Sequence, residues 1–566
     1  MEKASKPLWE RMYEKSVGWF AYDPTHIQRT MLRVICASFA RGVLSVIEAA
    51  NGCGKTTCIA AASTAAVSES GQKVAVFCST YTQISRVLSE VYKCVQLGPG
   101  NLAVAVLGGR SGLCVSQNDV SPREVCAVRR LRCRCPYEKP DDETGPRARD
   151  VSELLDWYRV RGMCAFEGEW LRASEAGLIV APQAYLLNEH AWNKIGRLVD
   201  GHLIIVDECH NLVNRGLSVF SFSLRFHTES AKRVAATISK KKAWPRARVR
   251  EAFPEPEAVL GDIEAEIDRA LEHSPSAFTH SLVKELENIR AILEGEYERL
   301  LVHGEVCEGV KGSSPSEVSE RLSVFRGGAM LSATPGDLSS YMKIAGSFPL
   351  YVERCESPYS QGALKVFVLT DFTTRYAERK KNDALEVASR LRGFLDAKRN
   401  LKVAAYMPSY EYMEAVCKAF SSLVGVESDR SQKPWVRAHV GQVMFLFDVQ
   451  GSSGSEGYEP PEGLDVALVV GLARRHPAET GPEERTPDGD DDVSWAVQKA
   501  VQAVGRVVRG PQDVGVGILM DRRFSDPAVI RLMPKWFRMC LAGRMNYRQL
   551  LTHLGSEGSV LWPPNQ

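Results

Sequence analysis

Short runs nearly continuous in valine, isoleucine and leucine recur along this chain, and they limit the folds that it can adopt. Such runs are typical of strands in a parallel sheet, where helices cover both faces and every side chain is buried. The runs occupy residues 43–49, 73–80, 177–182, 202–208, 364–371, 401–409, 442–449, 465–472 and 514–521. Segments with helical spacing separate the runs, so the sequence predicts an α/β protein with two parallel-sheet domains.

Length and charge are typical of a multidomain globular protein. A chain of 566 residues is too long for one hydrophobic core and predicts about three to five structural units. The net charge of +2, from 71 basic and 69 acidic residues, does not by itself indicate a nucleic-acid partner. The charges are segregated, however, because residues 123–134 and 232–250 are strongly basic and residues 478–492 are acidic.

Neither a secretion signal nor a membrane span is predicted. The first residues, MEKASKPLWERMYEK, lack the apolar stretch of a signal peptide, and no apolar run approaches the roughly 18 residues of a spanning helix. We therefore expect a protein of a reducing compartment, cytoplasmic in a prokaryote or nuclear in a eukaryote. In such a compartment, clustered cysteines indicate metal or cluster ligation before disulfides.

The predicted strand 43–49 runs into a glycine turn, Gly52-Cys53-Gly54-Lys55-Thr56, at the start of a predicted helix. A strand, a glycine turn and a helix N-terminus surround a phosphate with backbone N–H groups. In such a loop, Lys55 would reach the β- and γ-phosphates and Thr56 would ligate Mg²⁺. Ala49 replaces the first glycine of the usual pattern, and a chance match is the alternative interpretation.

A second predicted strand, 202–208, ends in the acidic pair Asp207 and Glu208. In a nucleotide-hydrolysing site, Asp207 would hold Mg²⁺ through water and Glu208 would polarise the attacking water. His210 would couple the nucleotide to neighbouring segments. Seen alone, an Asp-Glu pair at a strand end is often a helix N-cap, but its pairing with the phosphate loop favours the nucleotide site.

Five of the 15 cysteines lie between residues 114 and 164, in a segment rich in arginine. Zinc sites usually contain two short C-x₂₋₄-C knuckles, whereas the only tight pair here is Cys133 and Cys135. A cubane cluster takes one thiolate per iron and tolerates widely spaced ligands. Free buried cysteines are the alternative, although the polar, basic surroundings argue against it.

With these motifs in chain order, the sequence resembles the iron–sulfur helicases of superfamily 2 typified by XPD and DinG. The resemblance is carried by THIQRTM around Gln28, DECH at 207–210, LSATPGDL at 331–338 and QAVGRVVRG at 502–510. It implies that Gln28 reads adenine and that Ser332 and Thr334 couple hydrolysis to DNA.

The resemblance also implies the remaining site residues. In the second half, Gln502, Gly505, Arg506 and Arg509 are expected at the nucleotide, where the two arginines stabilise the γ-phosphate charge. Glu459 is the last residue of Glu-Gly-Tyr-Glu, at a position where the family usually has an aspartate. The implied nucleotide residues, including those of the phosphate loop, are Gln28, Gly52, Gly54, Lys55, Thr56, Asp207, Glu208, His210, Glu459, Gln502, Gly505, Arg506 and Arg509.

The cysteine pattern of the family assigns the ligands of a [4Fe–4S] cluster. Its flanking residues match Cys114, Cys126, Cys135 and Cys164, which leaves Cys133 as the spare cysteine. Whether Cys133 or Cys135 is the third ligand stays open. The expected cofactors are therefore ATP, Mg²⁺ and a [4Fe–4S] cluster.

The resemblance predicts two RecA-like motor domains, with an iron–sulfur insertion and a helical arch insertion in the first. The helical character of the arch is also expected from the charged, helically spaced residues 228–305, which show no convincing strand. The predicted division is 1–108, 171–222 and 323–345 for the first motor domain, 109–170 for the iron–sulfur insertion, 223–322 for the arch and 346–566 for the second motor domain.

The implied activity is that of an ATP-dependent 5′→3′ DNA helicase that translocates on single strands and unwinds duplexes in repair. An RNA-directed or non-unwinding translocase, and a damage-recognition scaffold that uses ATP as a switch, are the alternatives. Arg110 and Tyr185, and less so Trp244, are expected to contact single-stranded DNA. We expect a compact prokaryotic monomer whose partners are single-stranded and forked DNA, together with repair or single-strand-binding proteins.

Overall fold

The computed structural model describes most of the chain in ordered elements. The described residues are 6–98, 102–109, 112–115, 137–140, 145–214, 216–241, 243–273, 279–295, 297, 299–303, 306–312, 314–356, 363–375, 378, 383–397, 400–429, 436–452, 463–473, 490–508 and 513–555.

Within these residues the strands form three separate sheets. In chain order, strands β1 to β18 are Leu44–Glu48, Val74–Cys78, Val104–Val106, Leu178–Pro182, Leu203–Asp207, Gly216–Ser223, Ala243–Pro245, Arg299–His303, Val306–Gly312, Gly328–Ser332, Leu350–Arg354, Leu364–Leu369, Leu401–Met407, Val436–Val440, Val443–Val449, Val466–Val470, Gly515–Met520 and Leu541–Met545.

Helices alternate with these strands. In chain order they are Leu8–Gly18, His26–Arg41, Lys55–Ser70, Tyr81–Leu97, Val151–Val160, Ala165–Ala173, Ala184–Leu187, Glu189–Ile195, His210–Asn214, Glu229–Ile238, Arg246–Ala252, Pro256–His273, Thr279–Glu294, Pro315–Leu322, Leu338–Ala345, Asp383–Arg392, Tyr410–Val424, Asp490–Val504, Pro527–Leu532, Lys535–Arg538 and Tyr547–Gly555, with short 3-10 helices at Gly393–Ala397 and Arg522–Ser525. None of these helices is both long and apolar enough to cross a membrane.

The first sheet has seven strands in the order β11-β1-β10-β5-β2-β4-β3, and all of its neighbours are parallel. Helices cover both faces. Along β2, Val74 and Val76 enter one hydrophobic core, while Ala75 and Phe77 enter the core on the opposite face. Two-sided burial explains why the strand reads as a continuous apolar run rather than an alternating one.

The second sheet has the order β14-β15-β13-β16-β17-β12-β18, with β14 antiparallel at one edge and the other neighbours parallel. The prediction of an α/β protein with two parallel-sheet domains is therefore confirmed. Each of the nine apolar runs forms a strand. The sequence patterns missed shorter or edge strands, including β11, which joins the first sheet beyond the predicted boundary at residue 345.

The interval 223–322 contains strands as well as helices. Strands β7, β8 and β9 pair with β6 in an antiparallel sheet of order β6-β9-β8-β7. The expectation that residues 228–305 hold no strand was wrong. Short strands such as β8 carry charged and polar ends within a charged, helix-like neighbourhood, so their period-two signal is weak.

A buried carboxylate joins the predicted iron–sulfur insertion to the first sheet. Glu169, on the helix Ala165–Ala173, is fully buried. It accepts hydrogen bonds from the Val106 N–H at 2.7 Å, the Tyr158 hydroxyl at 2.9 Å and Arg172 Nη1 at 2.6 Å. These contacts tie the edge strand β3 to two helices.

We expect Glu169→Ala to destabilise the first domain by about 3–5 kcal/mol, because it leaves a buried arginine and two other donors without their acceptor. The thermal unfolding midpoint measures the effect. Glu175→Ala, an exposed position just after the same helix, is the matched control and should leave the midpoint unchanged. Equal midpoints for both variants would contradict a stabilising role for Glu169.

Candidate nucleotide site linked to the second domain

The turn after β1 has the backbone geometry of a phosphate-binding loop. Gly52 and Gly54 have φ angles of 74° and 83°, in the left-handed region that favours glycine. Gly54 precedes the helix Lys55–Ser70, and a Cβ added to it would lie 2.2 Å from Gln28 Nε2. The left-handed φ therefore favours glycine at position 54, and the loop presents the N-terminus of a 16-residue helix to an anion.

Lys55 is buried at the start of this helix. Its Nζ donates to the carbonyl oxygens of Ala49 at 3.0 Å and Ala50 at 3.2 Å. Burial disfavours the charged form, but nearby groups, including Glu208 and Asp207, outweigh it and raise the pKa of Lys55 above its usual range. The ammonium therefore stays charged in the loop, where a phosphate oxygen could replace either carbonyl. Thr56 follows it, half-buried.

Gln28 lies beside the phosphate loop and is 4% exposed. Its Oε1 accepts from the Thr25 N–H at 2.9 Å, and its Nε2 donates to the Tyr22 hydroxyl at 3.0 Å. The structure thus brings Gln28 to the predicted nucleotide site. Its amide is occupied by a helix cap and by Tyr22, so adenine would have to replace these contacts.

The acidic pair ends β5 and faces the same loop. Burial and the adjacent Glu208 raise the pKa of Asp207 to about 7. Burial also opposes charge on Glu208, but the hydrogen bond to His210 and the charge of Lys55 outweigh it and lower the pKa of Glu208 to about 2. Glu208 therefore holds the negative charge more tightly, and a bound divalent cation would favour ionisation of Asp207 as well.

Glu208 also has a left-handed backbone, with φ of 53°. It is the one non-glycine residue with positive φ among the residues that the structure describes. For a residue with a side chain this conformation costs roughly 1–2 kcal/mol. Surrounding contacts must hold the carboxylate in this position.

A chain of hydrogen bonds leads from Glu208 to the second domain. Ser332 Oγ lies 3.4 Å from Glu208 Oε2, accepts from the Thr334 N–H at 3.0 Å and contacts His210 Nδ1 at 2.9 Å. His210 Nε2 contacts Gln502 Nε2 at 2.9 Å. An amide nitrogen can only donate, so His210 accepts at Nε2 and carries its proton on Nδ1. We call Glu208, Ser332, His210 and Gln502 the polar relay.

Other residues of the second domain reach the same edge of the first sheet. Gln498 Nε2 donates to the Thr334 carbonyl, and Trp536 Nε1 donates to the Ala333 carbonyl at 2.9 Å. A Cβ on Gly505 would lie 2.4 Å from Asn51 Nδ2, so the two domains approach closely at this glycine. The charge of Arg506 helps to lower the pKa of Glu208, which indicates that it lies near the acidic pair.

No sequence motif predicted the contacts of Gln498 and Trp536. Gln498 lies one helical turn before Gln502, and this i,i+4 spacing on one helix was the available signal. Trp536 lies in the segment RLMPKWF, where a tryptophan is usually interpreted as a core residue. It is indeed buried, but its indole N–H donates a hydrogen bond to a backbone carbonyl of the first domain.

Two aromatic residues that were predicted to contact DNA are buried in this structure. Tyr185 is only 7% exposed, its hydroxyl donates to the Gly108 carbonyl at 3.0 Å, and its ring lies edge-on to Trp170. Trp244 is 6% exposed and packs in the core of the arch. Neither ring offers a face on which a base could stack. Ser332 and Thr334, predicted to couple hydrolysis to DNA, are both buried, and Ser332 Oγ contacts His210.

Several predicted site residues lie outside the described residues and stay predictions. They are Arg110, Cys126, Cys133, Cys135, Glu459 and Arg509.

Half-buried Cys114 and Cys164 are the two predicted cluster ligands that the structure describes. The Val115 carbonyl accepts from Arg159 Nε at 3.2 Å, and the Cys164 N–H donates to the Glu138 carbonyl at 2.7 Å. Among the described residues no group of three or more His, Cys, Asp or Glu could hold a metal ion.

Two family models match the chain. The model described as DEAD_2 matches residues 77–228, and the one described as Helicase C-terminal domain matches residues 394–540.

The ATP-dependent DNA helicase chl1 of Schizosaccharomyces pombe is 24% identical over 171 residues, which are 27% of this chain and 20% of that protein. A Regulator of telomere elongation helicase 1 homolog of Anopheles gambiae is 27% identical over 161 residues, 26% of this chain and 16% of that protein. The matches thus span a fifth or less of these relatives.

Solved structures show the same architecture. A structure named XPD_Helicase superimposes with a TM-score of 0.63 at 15% identity, over 92% of this chain and 99% of that one. The Xpd4 structure of S. tokodaii gives 0.52 at 14% identity, over 88% and 96%. At such identities the likeness shows the fold, and the two family matches follow the order of the two sheets along the chain. The chain belongs to the XPD/DinG-like helicases of superfamily 2.

Proposed function

We propose that the protein is an ATP-dependent DNA helicase that translocates 5′→3′ along a single strand and unwinds duplex DNA in repair. The polar relay carries the proposal. It joins Glu208, at the phosphate loop of the first domain, to Gln502 of the second domain through buried hydrogen bonds. A site built across two domains can convert a change at the nucleotide into a change of domain position. The name of the chl1 relative supports DNA as the substrate.

Each residue of the site has a defined task in this proposal. The loop N–H groups and Lys55 bind the phosphates, and Asp207 would hold a Mg²⁺ ion, which would neutralise phosphate charge when bound. Glu208 orients and polarises the attacking water. Arg506 supplies positive charge from the second domain, so hydrolysis depends on domain closure. Arg509 is proposed to act with it.

A forked DNA assay tests the proposal. ATP hydrolysis is measured without nucleic acid, with single-stranded DNA and with RNA, and unwinding is measured on forks with a single 5′ or 3′ tail. We expect stimulation by DNA and unwinding of the 5′-tailed fork. Stimulation by RNA alone would favour an RNA-directed enzyme, and hydrolysis without unwinding would favour a translocase. ATP binding without stimulated hydrolysis would favour the scaffold.

We also propose a [4Fe–4S] cluster in the insertion 109–170. Two observations support it. The backbone of Glu138, three residues after Cys135, pairs with the backbone at Met163 and Cys164. The carbonyl of Val115, next to Cys114, accepts from the side chain of Arg159, five residues before Cys164. Cysteine thiolates are also the usual ligands of such clusters. The cluster would bind the ends of a long segment together beside the first sheet.

Cysteine variants separate the two candidate third ligands. In protein purified without oxygen, we expect Cys135→Ser and Cys164→Ser to lose iron, because each removes a thiolate ligand. Cys133→Ser is the matched control and should retain iron. Iron content and visible absorbance measure the outcome. The reverse behaviour of Cys133→Ser and Cys135→Ser would exchange their roles, and bound zinc without iron would contradict the cluster.

A further inference from the structure

A glutamine outside all the motifs above contacts the acidic pair. Gln183 follows β4, is 3% exposed, and its backbone N–H donates to the Cys78 carbonyl at 2.8 Å. Its side-chain Nε2 donates to the carbonyl of Asp207 and, at 3.3 Å, to that of Glu208. Two consecutive carbonyls at the end of β5 are thus held by one buried amide.

The other end of this amide closes a ring of hydrogen bonds. Gln183 Oε1 accepts from Ser79 Oγ at 3.2 Å, and Ser79 Oγ accepts from Asn211 Nδ2 at 2.6 Å. The Asn211 backbone N–H donates to the Glu208 carbonyl at 3.1 Å. Every donor in the ring faces an acceptor, so the orientation of the Gln183 amide follows from its neighbours. The ring joins the ends of β2, β4 and β5.

The ring surrounds the strained residue of the site. The Glu208 carbonyl receives two of the ring's hydrogen bonds, from Gln183 and from Asn211. Its left-handed backbone directs its side chain toward Ser332 and His210 of the polar relay. A residue in such a conformation persists only where surrounding contacts hold it. Without the amide of Gln183, the Asp207–Glu208 peptide could relax and move the carboxylate.

We propose that Gln183 is a positioning residue for ATP hydrolysis, which holds the backbone of Glu208 so that its carboxylate faces the attacking water. This inference rests on the hydrolysis proposed above. Gln183 touches neither nucleotide nor water itself, and acts through the carbonyls of Asp207 and Glu208. The ring also fastens this turn to Ser79, at the start of the helix Tyr81–Leu97 on the same sheet edge.

A chemically matched residue exists in the second sheet. Gln450, 4% exposed, follows β15, and its Nε2 donates to the carbonyls of Val470 at 3.0 Å and Gly471 at 3.1 Å, at the end of β16. It is a buried amide bound to two consecutive carbonyls, as Gln183 is, but it makes no contact with Glu208. Gln450→Met therefore controls for the general loss of a buried amide.

The test compares ATP turnover of the full chain for Gln183→Met, Gln183→Glu and Gln450→Met, with saturating single-stranded DNA and thermal midpoints recorded for each. Gln183→Met keeps the shape without the amide, and Gln183→Glu places a carboxylate oxygen against two carbonyls. We expect both to lower kcat about tenfold or more with KM for ATP within about twofold, since small misplacements of catalytic groups have effects of this size. Gln450→Met should keep kcat while its midpoint falls.

Wild-type kcat in both Gln183 variants would overturn the inference, as would an equal loss of kcat in Gln450→Met. Absence of hydrolysis by the wild-type protein would instead overturn the proposed function, so the two failures are distinguishable. If Gln183→Met does not fold, Gln183→Glu alone decides, because it retains the acceptor for Ser79.

Discussion

Replacing Lys55 with alanine is expected to abolish ATP hydrolysis, and with it unwinding. Lys55 is the buried cation at the start of the phosphate-loop helix, and its Nζ is held by two loop carbonyls in position to meet a phosphate. Its removal leaves the γ-phosphate charge without this partner as the transition state forms, which we expect to lower turnover by at least 10²–10³-fold. Release of phosphate from ATP, with and without single-stranded DNA, measures the effect.

Lys93→Ala is the matched control for this variant. Lys93 is an exposed lysine, paired with Glu90 at 2.6 Å on a different helix of the same domain. Surface pairs of this kind contribute little to stability, so we expect wild-type hydrolysis. Unwinding that persisted in Lys55→Ala would show that the phosphate site lies elsewhere.

Replacing Glu208 with glutamine should lower kcat by about 10²–10⁴-fold, the usual contribution of general base catalysis, while ATP still binds. The side chains have nearly the same shape, so the left-handed backbone and the Gln183 contact are retained. The amide cannot take a proton from water, and it carries no charge toward His210. Single-turnover hydrolysis and binding of a fluorescent ATP analogue separate the two effects.

Glu320→Gln, on the exposed side of the helix Pro315–Leu322, is the control and should behave as the wild type. A Glu208→Gln variant with wild-type turnover would exclude this carboxylate as the group that polarises water. A variant that lost ATP binding as well would indicate that the main task of Glu208 is to hold the cation.

The proposed nucleotide site contains residues from both domains. Lys55 and Glu208 belong to the first domain, whereas Gln502 and Arg506 belong to the second. His210 connects the two sets through hydrogen bonds at both ring nitrogens. Separation of the domains would break the contact with Gln502 and remove the charge of Arg506, so an open molecule should hydrolyse ATP slowly.

Much of the site could be predicted because its chemistry is carried by consecutive residues. A phosphate loop needs glycine, lysine and threonine in one turn, and the strand before it is recognisable as a buried apolar run. The same is true of Asp207 and Glu208 at the end of β5. In these segments the same few residues determine both the backbone conformation and the chemistry, so a short sequence pattern is sufficient to predict them.

Aromatic residues show where this reasoning fails. Tyr185 and Trp244 were predicted to contact DNA, yet both rings are buried and both polar atoms donate to backbone carbonyls. The residues adjacent to an aromatic residue in the sequence do not show whether its ring is buried by other parts of the fold. The antiparallel sheet of residues 216–312 was missed for a different reason, since its short strands lie in a charged neighbourhood and have a weak period-two pattern.

Sequence therefore established the two parallel sheets, the phosphate loop and the acidic pair, because each is encoded within a few adjacent residues. The closed ring through Gln183, the buried link through Glu169 and the polar relay to Gln502 join residues that are far apart along the chain. The Glu169 link forms where the edge strand β3 meets two helices. The ring and the polar relay exist because the strand order β10-β5-β2-β4 brings the carboxyl ends of separate strands to one edge, and because a second domain packs on that edge. Burial at this edge then requires every polar group to find a partner, and that requirement depends on the assembled fold.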